Sequence, residues 1–122
     1  MRFIDLFAGL GGFHVAAEAV GGRCVFSCEI DERLRNIYVS NFGLMPAGDI
    51  RCIRPQAVPQ HDLLCAGSPC QPFSKAGEQN GFRDRVRGKV LFNVLEILRL
   101  RRPMYLILEN VPHFIRHRDG RT

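Results

Sequence analysis

The sequence predicts an α/β fold built on a doubly wound parallel sheet of about five strands. Three observations lead there. Short apolar runs alternate with helical patterns along the chain, the order that yields βαβ units and parallel strands. A glycine-rich turn follows the first run. Glu29, Asp49, Cys70 and Glu109 each fall at the carboxyl end of an apolar run, where open parallel sheets bind their ligands.

The first strand is expected over Phe3-Ile4-Asp5-Leu6-Phe7. Ala8-Gly9-Leu10-Gly11-Gly12 comes next, with enough glycine for a tight turn and close backbone approach to a ligand. Phe13, Ala16, Ala17 and Val20 recur at helical spacing, and Gly21-Gly22 ends that helix. Cys24 to Cys28 reads as the second strand, ending at Glu29. Asp31 is placed to cap a helix that turns Leu34, Ile37, Tyr38 and Phe42 to one face. A carboxylate such as Glu29, following a strand–glycine loop–helix–strand unit, suits the two hydroxyls of a ribose. A nucleoside-containing cofactor follows, although the loop lacks the full GxGxxG spacing of dinucleotide sites. Pro46 to Ile50 reads as a short third strand ending in Asp49, which either contacts a base amine or caps the next turn. Leu63 to Ala66 is the fourth strand. Residues 75–88 read as a long polar loop, and Lys89 to Arg101 as a helix with Val90, Leu91, Val94, Leu95 and Leu98 toward a core. Met104 to Leu108 is the fifth strand, followed by Glu109-Asn110; Pro112 blocks its continuation.

The chemistry is expected in Gly67-Ser68-Pro69-Cys70-Gln71-Pro72-Phe73-Ser74. Two prolines flank Cys70, so the segment is neither helix nor central strand. It is a stiff loop at a strand end that presents a thiol, a candidate nucleophile. The competing reading is an inert cysteine in a tight turn, the usual fate of a lone cysteine.

Composition bounds the rest. The chain has 122 residues, enough for one domain at most. No run approaches the ~20 apolar residues of a membrane span, and Asp5 interrupts the first apolar run, unlike a signal peptide. The five cysteines form no CxxC pair, which argues against zinc or a disulfide framework and for a reducing cytoplasm. Net charge is +5, unevenly spread: residues 1–62 carry −1 and residues 63–122 carry +6. A solvated basic face and a phosphate-facing surface account for that bias about equally well.

Taken together, these motifs resemble those of the cytosine-5 DNA methyltransferases, in that family's order and over essentially the whole chain. Asp5 to Phe13 resembles its S-adenosylmethionine loop, and Gly67 to Ser74 its catalytic loop. Arg87 to Phe92 is similar to the segment that closes the cofactor pocket, and Glu109-Asn110-Val111 to the catalytic glutamate motif. The resemblance implies a Rossmann-like fold, with S-adenosyl-L-methionine as cofactor and no metal. It implies Cys70 and Glu109 as catalytic residues. Phe7, Gly9, Gly11, Glu29, Ile30, Asp49, Ile50, Pro69 and Leu91 would bind the cofactor, and Gln71, Ser74, Arg87 and Asn110 would face the DNA. The reaction implied is methyl transfer to carbon 5 of cytosine, the setting a restriction-modification system.

The family's Gln-x-Arg-x-Arg motif appears nowhere in the chain. The resemblance therefore covers residues 1–122 as a partial catalytic domain, without target recognition and with a sheet incomplete at its C-terminal edge. Such a chain is expected to be nearly inactive alone: one half of a split enzyme completed by a complementary C-terminal chain, the remnant of a truncated gene, or the N-terminal part of a longer polypeptide. An RNA cytosine-5 methyltransferase and a non-catalytic cofactor-binding remnant are the alternatives. A nicotinamide-dependent dehydrogenase is more distant, because it leaves Pro69 to Pro72 unexplained.

Overall fold

The computed structural model describes residues 1–67 and 80–109, the side chains of 80–84 excepted. Its elements run β1 (Arg2–Leu6), α1 (Gly12–Ala19), β2 (Arg23–Cys28), α2 (Glu32–Phe42), β3 (Leu63–Gly67), α3 (Asn80–Arg101) and β4 (Tyr105–Glu109). Two single 3-10 turns, Ile50–Cys52 and Pro55–Ala57, lie between α2 and β3. The four strands form one sheet in the order β2-β1-β3-β4, and every pairing is parallel. The chain winds outward from β1 to β2, then returns to the far side of β1 for β3 and β4. That reversal opens a crevice between β1 and β3 at their carboxyl ends.

The alternation of side chains on the central strands builds two cores. Ile4 and Leu6 of β1, with Leu64 and Ala66 of β3, pack with Val94 and Ile97 of α3. Phe3, Leu63 and Cys65 face the other way and pack with Ala17 of α1. Both faces of β1 and β3 are thus covered, as near-continuous apolar runs in a parallel sheet require. Asp31 caps α2, its carboxylate accepting from the Arg33 and Leu34 amides at 2.8 and 3.3 Å.

Three expectations are corrected. The stretch Pro46 to Ile50 is not a strand, so the sheet described has four strands. Only Ala47 forms an isolated parallel bridge to Cys28 before the chain tightens into the 3-10 turn capped by Asp49. The second correction concerns α3, which begins at Asn80, not Lys89, and runs for 22 residues. Residues 80–88 are therefore helical, and Val86, Val90, Val94 and Ile97 mark the inward face at three- and four-residue spacing. Leu91 and Leu95 lie outside that stripe and are exposed. Thirdly, Ile37 is exposed, whereas Tyr38 is fully buried.

Leu64 is completely buried between the two helical layers. Leu64→Ala in the intact protein is expected to destabilise it by about 2–5 kcal/mol. A urea unfolding curve checks this: the midpoint falls and the slope stays unchanged.

Candidate cofactor site

The loop after β1 is shaped by backbone conformations that side chains rarely adopt. Phe7 has φ 56° and Gly9 φ 56°. For Phe7 such a conformation carries strain of about 1–3 kcal/mol, a feature that clusters at binding sites. Gly11 has φ 93°, and a Cβ there would run into the Phe42 ring. Its glycine thus serves the approach of α1 to α2, while its amide donates to the Ala8 carbonyl at 2.9 Å.

Glu29 is the centre of this loop's geometry. It is nearly buried just beyond β2. Its Oε1 accepts from the Gly9 amide at 2.8 Å, and its Oε2 from the Asp31 amide at 3.0 Å. Each oxygen keeps a further acceptor position. Arg35 Nη1 donates to the carbonyl oxygens of Glu29 and Ile30 at 2.8 and 2.9 Å, fixing the same corner from α2.

Beside Glu29 lies a largely apolar cavity of ≈ 140 Å³. Phe7, Ile30, Ile50, Val86 and Val90 supply its walls, and Glu29, Asp49 and Arg51 its polar groups. It is smaller than the ~300 Å³ at which cavities begin to hold a drug-sized ligand, so it suits one ring system of a larger molecule. Apolar walls with two carboxylates have the chemistry to enclose a flat ring and to accept from hydroxyl or amine donors at its edge. A larger and shallower groove of ≈ 280 Å³ lies beyond Arg51, lined by Arg54, Lys89, Phe92 and Glu96 among others. Its basic, open walls suit an enclosed base poorly.

Asp49 accepts from the Arg51 amide at 2.9 Å, and its carboxylate pairs with the Arg51 guanidinium. That hydrogen bonding holds the Asp49 carboxyl below its ordinary range, against a smaller opposing effect of burial. Capping and a place in the cavity wall are thus combined in one residue.

Glu109 ends β4 in register with Gly67 of β3. A Cβ on Gly67 would stand 3.2 Å from Glu109 Oε1 and close to Phe7 O, so glycine leaves the room in which the carboxylate sits. The structure therefore gathers Phe7, Gly9, Glu29, Ile30, Asp49, Ile50 and Glu109 at the carboxyl edge of the sheet. Leu91 does not line the cavity; Val90, one position earlier, does, together with Val86. The 86–90–94 spacing carried that signal once the helix is allowed to start before Lys89. Arg87 is half-buried on α3, also outside the cavity lining. Pro69, Cys70, Gln71, Ser74 and Asn110 lie outside the described residues. Of the remaining cysteines, burial pushes the Cys28 thiol up to about 12 and Cys65 up to about 11, and raises Cys24 as well, which makes all three poor nucleophiles.

A family model described as C-5 cytosine-specific DNA methylase matches residues 1–122. The chain belongs to that family. Among curated methylases, it is 48% identical over 122 residues to the Type II methyltransferase M.HhaI of Haemophilus parahaemolyticus, covering 100% of this chain and 37% of that one. It is 49% identical to the Type II methyltransferase M.DsaV of Dactylococcopsis salina, covering 100% of this chain and 34% of that one. This methylase chain thus spans about a third of the length of the curated relatives it matches. Among solved structures it superposes on the S. pombe Dnmt2 methyltransferase with TM-score 0.74 and 26% identity, covering 94% of this chain and 37% of that one. The Entamoeba histolytica methyltransferase EhMeth, at 22% identity and TM-score 0.70, covers 93% of this chain and 39% of that one and supports the fold alone. The methylase fold expected from sequence is what the structure has, with four strands described. Among the described residues no helix is long and apolar enough to cross a membrane.

Beneath the loop runs a polar network that the sequence reading missed. Asp5 is fully buried on β1. Tyr38 donates its hydroxyl to Asp5 Oδ2 at 3.0 Å, and His14 Nδ1 lies 2.6 Å from that hydroxyl. His14 Nε2 is 3.1 Å from Glu18 Oε2 at the surface. Burial lifts Asp5 to about 7; the Tyr38 hydrogen bond opposes this, and the neighbouring Glu29 charge adds to it.

Because the folded protein holds the Asp5 proton more tightly than the unfolded chain, this group's contribution to stability falls as pH rises from about 4 through about 7. His61, whose pKa is lowered chiefly by burial, acts in the opposite direction below its ordinary value. Asp5→Asn keeps His61 and removes the Asp5 contribution. Its denaturation midpoint is therefore expected to gain on the wild type as pH goes from 5 to 8. Parallel pH profiles for the two proteins would show that Asp5 stays ionised in the fold.

Proposed function

We propose that the protein carrying this chain transfers a methyl group from S-adenosyl-L-methionine to carbon 5 of cytosine in DNA. The observation that carries the cofactor reading is the Glu29 carboxylate. It is held by two backbone amides just beyond β2 and forms part of a cavity wall that suits one aromatic base. The relatives' printed names, Type II methyltransferases, support the reaction class and a restriction-modification setting.

When bound, the cofactor supplies an electrophilic sulfonium methyl group. Glu29 holds the ribose hydroxyls, Asp49 accepts from the base amine, and Phe7 and Ile50 enclose the base, with Val90 in the place first expected of Leu91. Gly9 and Gly11 shape the loop, and Ile30 and Pro69 complete the set of cofactor-binding residues. Cys70, as thiolate, adds to carbon 6 of cytosine and places an electron pair on carbon 5. That carbon takes the methyl group. A base then removes the carbon 5 proton, the ring double bond re-forms, and Cys70 leaves as thiolate. Glu109 hydrogen-bonds ring nitrogen 3 and the exocyclic amine, stabilising charge as it develops. The target base must be flipped out of the duplex to reach Cys70, with Gln71, Ser74, Arg87 and Asn110 toward the DNA.

The exposed edge of the sheet supports a need for more polypeptide. Tyr105, Leu106, Ile107 and Leu108 of β4 are 45–57% exposed. Among the described residues no strand pairs with the outer edge of β4. Large apolar surface on an open strand is a site for pairing. A complementary C-terminal segment that continues the sheet and brings target recognition fits it.

Two variants of the intact protein test the assignment together. Cys70→Ser is expected to abolish methyl transfer to DNA while S-adenosylhomocysteine binding stays within about twofold, since the thiol is not a cofactor ligand. Glu29→Ala is expected to weaken that binding about ten- to hundredfold, the range for hydrogen bonds to a charged group. Calorimetric titration reads both. Unchanged affinity in Glu29→Ala would sink the ribose assignment, and retained transfer in Cys70→Ser the nucleophile.

A further inference from the structure

We infer that Arg51 is a positioning residue for base selection: its guanidinium fixes the orientation of the Asp49 carboxylate toward the cofactor's exocyclic amine. The inference rests on the reading of Asp49 as the amine acceptor. The observation behind it is how fully Asp49 is engaged. Its Oδ1 accepts from the Arg51 amide at 2.9 Å and from Arg51 Nε at 3.0 Å. Its Oδ2 accepts from the same Nε at 2.9 Å and from Nη2 at 2.6 Å.

Three N–H groups therefore make four contacts with the carboxylate, two to each oxygen, the Nε–H being shared between them. The residue so held lines the cavity. A cap for the 3-10 turn needs only the backbone bond from Arg51. The side-chain pair adds nothing to capping. It fixes the rotamer of Asp49 and keeps it ionised, and so an acceptor only.

Both residues are partly open to solvent, with side chains 22% and 33% exposed. An ion pair so placed contributes little to overall stability. Its effect falls on the orientation of Asp49. A locked, ionised acceptor favours a base that donates at that position, as adenine does through its amine. It disfavours a base that presents a carbonyl oxygen there, as hypoxanthine does. Arg51 also borders the open groove with Arg54 and Lys89.

The test is the ratio of dissociation constants for S-inosylhomocysteine and S-adenosylhomocysteine, measured by calorimetry on the intact wild-type protein and on Arg51→Gln, Arg51→Lys and Asp49→Asn. The wild-type ratio is expected to be about ten- to hundredfold. It should collapse to within about threefold in Arg51→Gln, with the melting temperature little changed, and take an intermediate value in Arg51→Lys, which keeps charge but not the fork geometry. In Arg51→Gln the residual preference should also fade as pH drops through about 4, the ordinary range of an aspartate. The wild-type preference should persist below that pH. A collapsed ratio in Asp49→Asn with a full ratio in Arg51→Gln and Arg51→Lys would overturn the role of Arg51 and leave Asp49 in place. A full ratio in Asp49→Asn would overturn the assignment of Asp49 itself, and the role of Arg51 with it. Arg51→Lys carries the comparison if Arg51→Gln fails to fold.

Discussion

The carboxylate of Glu29 ties together three parts of the chain that have no other reason to meet. One oxygen takes the amide of Gly9, in the loop after β1, and the other takes the amide of Asp31, at the start of α2. The residue itself follows directly on β2. Those two amides would otherwise be donors without partners in tight, partly buried backbone, which is unfavourable. A neutral side chain of the same length accepts through one oxygen only and leaves one amide unmet. The acid thus earns its place structurally before any ligand arrives. A site that is pre-formed in this way loses less ordering entropy on binding.

The same crowding of carboxylates explains the network below it. Asp5 lies on β1 and feels the charge of Glu29, and burial alone already disfavours its ionised form. Tyr38 reaches Asp5 from α2, its hydrogen bond working against that effect of burial, and His14 links the pair to the surface from α1. His14 also stacks on Phe42 with ring centroids 3.9 Å apart. The packing of α1 on α2 and the protonation of Asp5 are therefore one structural problem, solved by the same few side chains.

Much of this was legible in the sequence because it depended on local signals. The Phe3 to Phe7 run, the glycines after it and the position of Glu29 follow from strand, turn and spacing rules. So does the Asp31 cap. What was not legible depended on tertiary contacts. Pro46 to Ile50 has the composition of a strand, yet only Ala47 reaches a partner, because the Asp49 cap turns the chain into a 3-10 helix at once. Residues 80–88 look like a loop because charged and glycine residues outnumber apolar ones. A single inward valine per turn, Val86 and then Val90, is enough when α3 packs on a sheet. With the helix begun before Lys89, its inward stripe brings Val86 and Val90 to the cavity and leaves Leu91 exposed. The Asp5–Tyr38–His14 network was invisible for a simpler reason: its members come from three different elements.

The uneven exposure of the sheet bears on how such a catalytic unit is assembled. β1 and β3 are buried on both faces, and the cavity opens beyond the carboxyl ends of β1 and β2, against α3. β4 is as apolar as β3 but is exposed along its whole length. Its register nevertheless matches β3 residue for residue, from Leu63 and Tyr105 through Gly67 and Glu109. The position of Glu109 is thus set by pairing to a well-buried neighbour and does not depend on what covers the outer edge. A Cβ at Gly67 would stand 3.2 Å from the Glu109 carboxylate, so the glycine lets that side chain sit without shifting. The two carboxylates that matter most, Glu29 and Glu109, are therefore both placed by backbone contacts within the described residues. This division separates placing the acidic groups from covering the sheet edge.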